Sequence, residues 1–175
     1  MNGVGERQEV SGHLGQSNSK IDEKGRIVLG EDRAKFLEGG HVLVRGDLGC
    51  LEIYPLANWK KRIAEFNDCP DWVQGKQVYR TFVMGTADST VKMDEGGRLV
   101  VPLALREKCR LCDPVNKGPR EIVFVGNGLC IQVWSKEDHE SFEDNPFGFD
   151  EKRAEIIEKA IEKMRPHLKQ EVTTK

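Results

Sequence analysis

Apolar positions along the chain recur with two periods, and the switches between them lay out most of the elements. The runs "RIVL" (26–29), "HVLVRG" (41–46), "CLEIYP" (50–55), "RLVV" (98–101), "EIVFVG" (121–126) and "CIQVW" (130–134) are short, rich in β-branched and aliphatic residues, and predict strands. The second run with the third, and the fifth with the sixth, read as hairpins closed by glycine-containing turns. "EDRAKFLEGG" (31–40) and "PLALREKC" (102–109) predict short helices, the first closed by Gly39 and the second opened by Pro102 at a first-turn position. A helix over 55–66 places Leu56, Trp59, Ile63 and Phe66 on one face. "DWVQGKQVYRTFVMG" (71–85) has a helical pattern weakened by Gly75. At the carboxyl end, Ile157, Ile161, Met164 and Leu168 form a single apolar stripe on a helix that Pro166 should end within its last turn. That stripe must be covered, by the same subunit or by a neighbour.

The pattern repeats. "KIDEKGRIVL" at 20–29 returns as "KMDEGGRLVV" at 92–101, an offset of 72, and "RGDLGCLEIYP" at 45–55 returns as "VGNGLCIQVWS" at 125–135, an offset of 80. About eight extra residues therefore precede the later strand of the second copy, and "CRLCDPVNKGPRE" (109–121), with its prolines, glycine and asparagine, is where they fit. Each copy is expected to run strand, tight turn, strand, short helix, strand, glycine turn, strand, helix. The organisation that follows is a disordered extension over 1–10, a first half over 11–68, a bridging helix over 69–84, a second half over 85–143 and a terminal helix over 150–169.

Composition and motif content change the picture in several ways. With 175 residues, 38% of them hydrophobic, the chain can bury one compact core or two small ones. No apolar run is long enough to span a bilayer and the first twenty residues lack the apolar stretch of a signal peptide, so a cytoplasmic protein without a membrane partner is expected. Net charge is only −2, so nucleic-acid contact would have to come from local basic clusters. The five cysteines are an odd number and favour reduced thiols over a disulfide framework; Cys50 and Cys130, at equivalent strand starts, suit a core. The single CxxC at 109–112 lacks the second ligand pair of a structural zinc site, and His13, His41, His139 and His167 have no ligand spacing. No phosphate loop, nucleophile elbow or dinucleotide fingerprint is present; neither enzyme chemistry nor a cofactor is expected.

The candidate chemistry sits in the repeated turn. Asp22, Gly25 and Arg26 correspond to Asp94, Gly97 and Arg98, and a tight reversal uses such an order well: Gly accepts a positive φ while Asp hydrogen-bonds the turn backbone. Two readings follow from the residues. In one, each Asp–Arg pair only staples its own loop. In the other, Asp22, Gly25, Asp94 and Gly97 structure the loops while Lys24, Arg26 and Arg98, with Lys20 and Lys92 nearby, meet phosphates and guanine edges in a DNA major groove. Lys24 faces Gly96 across the repeat, so the first loop should contribute more to affinity. A protein-interaction module with purely structural turns is the competing function class.

"IDEKGRIVL", "MDEGGRLVVPLALRE" and "CLEIYPLANW" closely resemble the MraZ family of bacterial transcriptional regulators, over residues 12–143. The resemblance implies an α+β, mainly β, fold in which two AbrB-like swapped-hairpin halves form one β-barrel with surface helices. It also implies subunits assembled as a homo-oligomeric ring, binding to short direct repeats in double-stranded promoter DNA, and control of a division and cell-wall gene cluster from the nucleoid. The family's DNA-contacting Arg of the first half falls on Arg26, its neighbouring Lys on Lys24, and the second-half Arg on Arg98. The chain departs from the family in having Gly30 where Pro is usual, whereas the second copy keeps Pro102, and in its longer amino end.

Overall fold

The computed structural model describes residues 13–168; the extension expected over 1–10 lies outside the described residues, as does residue 169 of the expected terminal helix. The first half supplies β1 (Leu14–Ile21), β2 (Arg26–Val28), α1 (Glu31–Phe36), β3 (His41–Arg45), β4 (Leu51–Pro55) and α2 (Leu56–Ala64). The bridge is α3 (Gln74–Phe82), and the second half supplies β5 (Arg98–Val100), α4 (Leu103–Lys108), β6 (Arg120–Asn127), β7 (Ile131–Ser135) and α5 (Lys136–Asp144). The chain continues into α6 (Glu151–Met164), which passes into a 3-10 turn over Arg165–His167 containing Pro166. The class is α+β. The eight extra residues of the second copy fall in the irregular segment between α4 and β6.

The strands form an antiparallel five-stranded sheet in the order β1-β6-β7-β4-β3 and a separate two-stranded ribbon of β2 with β5. The halves are exchanged: β1 of the first copy pairs along its whole length with β6 of the second. The reciprocal pairing, residues 86–93 on β3, shrinks to one bridge between Asp88 and Leu43. The barrel implied by the resemblance is therefore open. The cause is local: Asp88 turns its carboxylate onto the backbone N–H and hydroxyl of Thr90, both at 2.7 Å, which bends the chain out of the ladder after one residue.

A pseudo-twofold axis organises both sheets. Ile27 pairs with Leu99 in the ribbon, 72 residues on, and Glu52 pairs with Gln132 between β4 and β7, 80 residues on. Each residue thus meets its own duplicate, and the two sequence offsets are the two pairing registers. One face of the five-stranded sheet and the inner face of the ribbon enclose Ile27, Leu29, Leu43, Leu51, Ile53, Leu99, Val101, Ile131 and Val133. The alternate residues Val42, Val44 and Tyr54 face the other way, onto Trp59 of α2, Tyr79 of α3 and Ile157, Ala160 and Met164 of α6. With helices behind and the ribbon in front, β4 and β7 are buried at every position, which explains their near-continuous apolar runs.

The terminal stripe packs within the subunit. Ile157 and Met164 are buried and Ile161 and Leu168 partly so, all against the α2–α3 side of the sheet. Gly75 explains how α3 and α6 approach: a Cβ there would lie 2.3 Å from the carbonyl oxygen of Ala160, so only glycine permits the crossing. Two sequence expectations shift. Ile63 is 40% exposed rather than inward, and Pro102 stands just before α4 as its N-cap. All five cysteines are buried and unpaired; burial pushes the Cys109 and Cys130 thiols up to about 12.

Candidate nucleic-acid interface

The two loops fold by the same hydrogen bonds. Asp22 Oδ1 accepts from the backbone N–H groups of Lys24 at 2.9 Å and Arg26 at 2.8 Å, and Asp94 Oδ1 accepts from those of Gly96 at 2.9 Å and Arg98 at 3.0 Å. The chain reverses through Gly25 at φ 81° and Gly97 at φ 69°. The second carboxylate oxygen of each Asp accepts from the Arg Nε, at 2.6 Å for Arg26 and 2.9 Å for Arg98. The donated backbone N–H of Arg26, then its side chain, holds Asp22 below the usual carboxylate range; the backbone and side chain of Arg98 do the same for Asp94.

The ribbon register sets where these loops stand. Arg26 lies opposite Val100 and Arg98 opposite Val28, so the loops occupy opposite ends of the ribbon, and its outer face alternates Arg and Val. Ile27 and Leu99 point inward into the core while Val28 and Val100 stay about half exposed. The side chains of Arg26 and Arg98 are 53% and 58% exposed despite their ion pairs. Among the described residues only Nε of each guanidinium is engaged, leaving both terminal nitrogens without a hydrogen-bond partner. A guanidinium held by one edge and free at the other is oriented for bidentate contact with an acceptor pair. The stapling reading and the contact reading are therefore compatible in geometry, since the staple aims the fork.

Lys20, the penultimate residue of β1, lies opposite Glu121, and Lys24 and Lys92 lie on or beside the loops; all three are exposed. They do not converge on one point. The loops also differ in surroundings: the second borders a hollow of about 560 Å³ whose rim carries Glu31, Glu38, Asp94 and Glu95 against Lys35. The first is backed by α4 instead, through Arg106, a residue that sequence reasoning missed. Its one sequence signal was the "LRE" following the repeated motif, unmatched in the first copy.

Comparison with known proteins fits this arrangement. The family model for the MraZ protein, whose description adds a likeness to antitoxins, matches residues 13–71 and 84–159. The chain belongs to the MraZ family. It is 36% identical to the Transcriptional regulator MraZ of Lachnoclostridium phytofermentans over 131 residues, 73% of this chain and 84% of that protein. To the protein of the same name from Thermus thermophilus it is 32% identical over 124 residues, covering 71% and 82% of the two chains. The Heliobacterium modesticaldum protein is 26% identical over 151 residues, covering 86% and 95%. The gap in the family match, 72–83, contains the whole of α3, the bridge between halves. Among the described residues no helix is long and apolar enough to cross a membrane.

Proposed function

We propose that the chain is a sequence-specific DNA-binding transcriptional regulator that inserts the β2–β5 ribbon into a major groove. A two-stranded ribbon fits a groove about 12 Å wide, and Arg contacting guanine through paired nitrogens is the commonest specific contact there. The observation that carries the reading is the outward ribbon face, where two carboxylate-aimed arginines alternate with two exposed valines. Lys20, Lys24 and Lys92 supply phosphate contacts around it, while Asp22, Gly25, Asp94 and Gly97 hold the loops. Val28 and Val100 are placed for thymine methyl groups. The relatives' printed name, Transcriptional regulator MraZ, supports the same reading.

The finer reading is a ring of subunits on short direct repeats upstream of the protein's own division and cell-wall gene cluster. A net charge of −2 makes a lone subunit a weak DNA binder. Several subunits on neighbouring repeats raise the effective concentration of each weak contact. The test is a mobility-shift titration of the full chain on the DNA upstream of its own gene, across a salt series, beside scrambled DNA of equal length. Expected are discrete shifted species with affinity falling steeply as salt rises. Equal affinity for both DNAs, or no shift at low salt, refutes sequence-specific binding and leaves the fold as a protein-interaction module.

A further inference from the structure

The two loops share their internal hydrogen bonds and differ in what stands behind them. The second copy's α4 backs the first loop, and the first copy's α1 backs the second loop. Behind the first stands Arg106, only 8% exposed, with Nη1 donating to the backbone oxygen of Glu23 at 3.3 Å. A Cβ on Gly25 would lie 2.6 Å from Arg106 Nε and 2.7 Å from the Val101 oxygen, so the loop backbone rests directly on the guanidinium. Val101 N–H closes the contact by donating to the Gly25 oxygen at 2.8 Å.

The duplicate of Arg106 is Ala34. A Cβ on Gly97 would meet the Ala34 methyl at 3.4 Å, an ordinary contact. The backbone bond survives, Leu29 N–H donating to the Gly97 oxygen at 2.9 Å, but a methyl offers no donor. Arg106 Nε is buried without a hydrogen-bond partner among the described residues. A buried donor left unmade is costly, so the one hydrogen bond this guanidinium makes among the described residues, from Nη1 to the Glu23 oxygen of the first loop, is what anchors it. What its placement accomplishes is bracing of the loop that carries Lys24 and Arg26.

The geometry points to Arg106 as a positioning residue acting across the halves: through the backbone of Glu23 and Gly25 it fixes the first Asp–Arg loop, so that Arg26 meets a base edge in one orientation. The second loop, backed by Ala34, remains the adaptable partner. Arg106 contacts no DNA in this scheme; it makes the two chemically similar loops unequal readers. The inference rests on the DNA-binding reading for its consequence, but its structural half is measurable without DNA.

The experiment uses the full chain with backbone amide exchange, corrected for intrinsic rates, and DNA affinity in parallel. In the unaltered protein the amides of Lys24, Gly25 and Arg26 should be protected roughly tenfold more than those of Gly96, Gly97 and Arg98. Arg106→Met keeps an unbranched stem and removes the donors; it should bring the first loop to the level of the second, and Arg106→Lys should restore part of the difference. On DNA, Arg106→Met should weaken binding to the upstream sequence roughly tenfold, with little change on scrambled DNA and no change in salt slope. Equal protection of the two loops in the unaltered protein overturns the inference, whether or not the variants fold. So does an Arg106→Met protein whose loops both loosen as its melting point falls, because that is a general structural role. Unequal loops in a protein that fails to bind DNA overturn the DNA reading alone.

Discussion

Replacing Arg26 and Arg98 by alanine, separately, tests whether the ribbon reads DNA and whether its two ends do so unequally. Each substitution removes a half-exposed ion pair with its own Asp, an interaction worth about 0–1 kcal/mol, and at about 2–4 °C per kcal/mol for a chain of this size the melting point should fall by less than about 4 °C. The expected effect on DNA is larger. An Arg paired with a guanine edge contributes about 1–3 kcal/mol, or roughly 5- to 150-fold in affinity. The ends should differ because the first loop adds Lys24 and is backed by Arg106, whereas the second has Gly96 and borders the rim of Glu31, Glu38 and Glu95. The slope of log affinity against log salt falls by about 0.9 for each phosphate that is no longer neutralised, so Lys24→Ala with Arg26→Ala should flatten it by up to about 1.8 and Arg98→Ala by no more than about 0.9. Fluorescence anisotropy on labelled upstream DNA over a salt series gives both quantities, and calorimetry gives the melting point. Affinity unchanged by Arg26→Ala would refute direct contact; identical slopes for the two ends would refute the asymmetry.

Two other expectations follow from the packing and the carboxylates. Met164 is fully buried against the side of the sheet remote from the ribbon, so Met164→Ala should cost about 2–5 kcal/mol in urea unfolding while leaving DNA affinity of the folded protein unchanged; a loss below about 1 kcal/mol would mean α6 is not docked as described. Asp22 and Asp94 are held below their ordinary value of 3.8, so their contribution to loop order is complete above that value and is lost as pH falls through the depressed range. The Arg26 and Arg98 amide resonances should be steady from about pH 8 to 5 and move together below 3.8; a midpoint at or above 3.8 contradicts the carboxylate's role in the turn.

Most of the β framework was legible because the duplication writes it twice. The offsets of 72 and 80 mark the repeats, and they are also the registers at Ile27–Leu99 and Glu52–Gln132, since strands that cross a twofold axis pair with their own copies. The Asp-x-x-Gly-Arg order was readable for a different reason: its hydrogen bonds span four residues, so local spacing determines them. Contacts between remote segments carry no such signal. Nothing periodic marks Gly75 as the point where α3 meets Ala160, or Arg153 as the residue whose guanidinium caps the Gly46 oxygen at 2.8 Å and pins α6 to the sheet. The single bridge at Asp88 was equally hidden, because an Asp that captures Thr90 is indistinguishable in sequence from a strand residue that does not.

The axis also separates divergence that packing demands from divergence it does not. At Glu52 and Gln132 the duplicates touch, with Glu52 Oε1 accepting from Gln132 Nε2 at 3.2 Å inside the core. Burial pushes the Glu52 carboxyl up, and Arg62 and Tyr54 pull it back by pairing with its other oxygen. Two glutamates there would bring like charges together where desolvation is already costly, so the copies cannot both be glutamate. No such constraint acts on the loops. They lie off the axis at opposite ends of the ribbon and never meet, and their internal hydrogen bonds have stayed alike. Arg106 and Ala34 lie off the axis as well, each behind the other half's loop, so nothing in the packing of the duplicates against each other required one to be a guanidinium and the other a methyl. On the proposed DNA-binding reading that difference has a use: a half-site that is not itself symmetric would be matched in a single orientation by a ribbon whose two ends differ, whereas equal ends would match it in two.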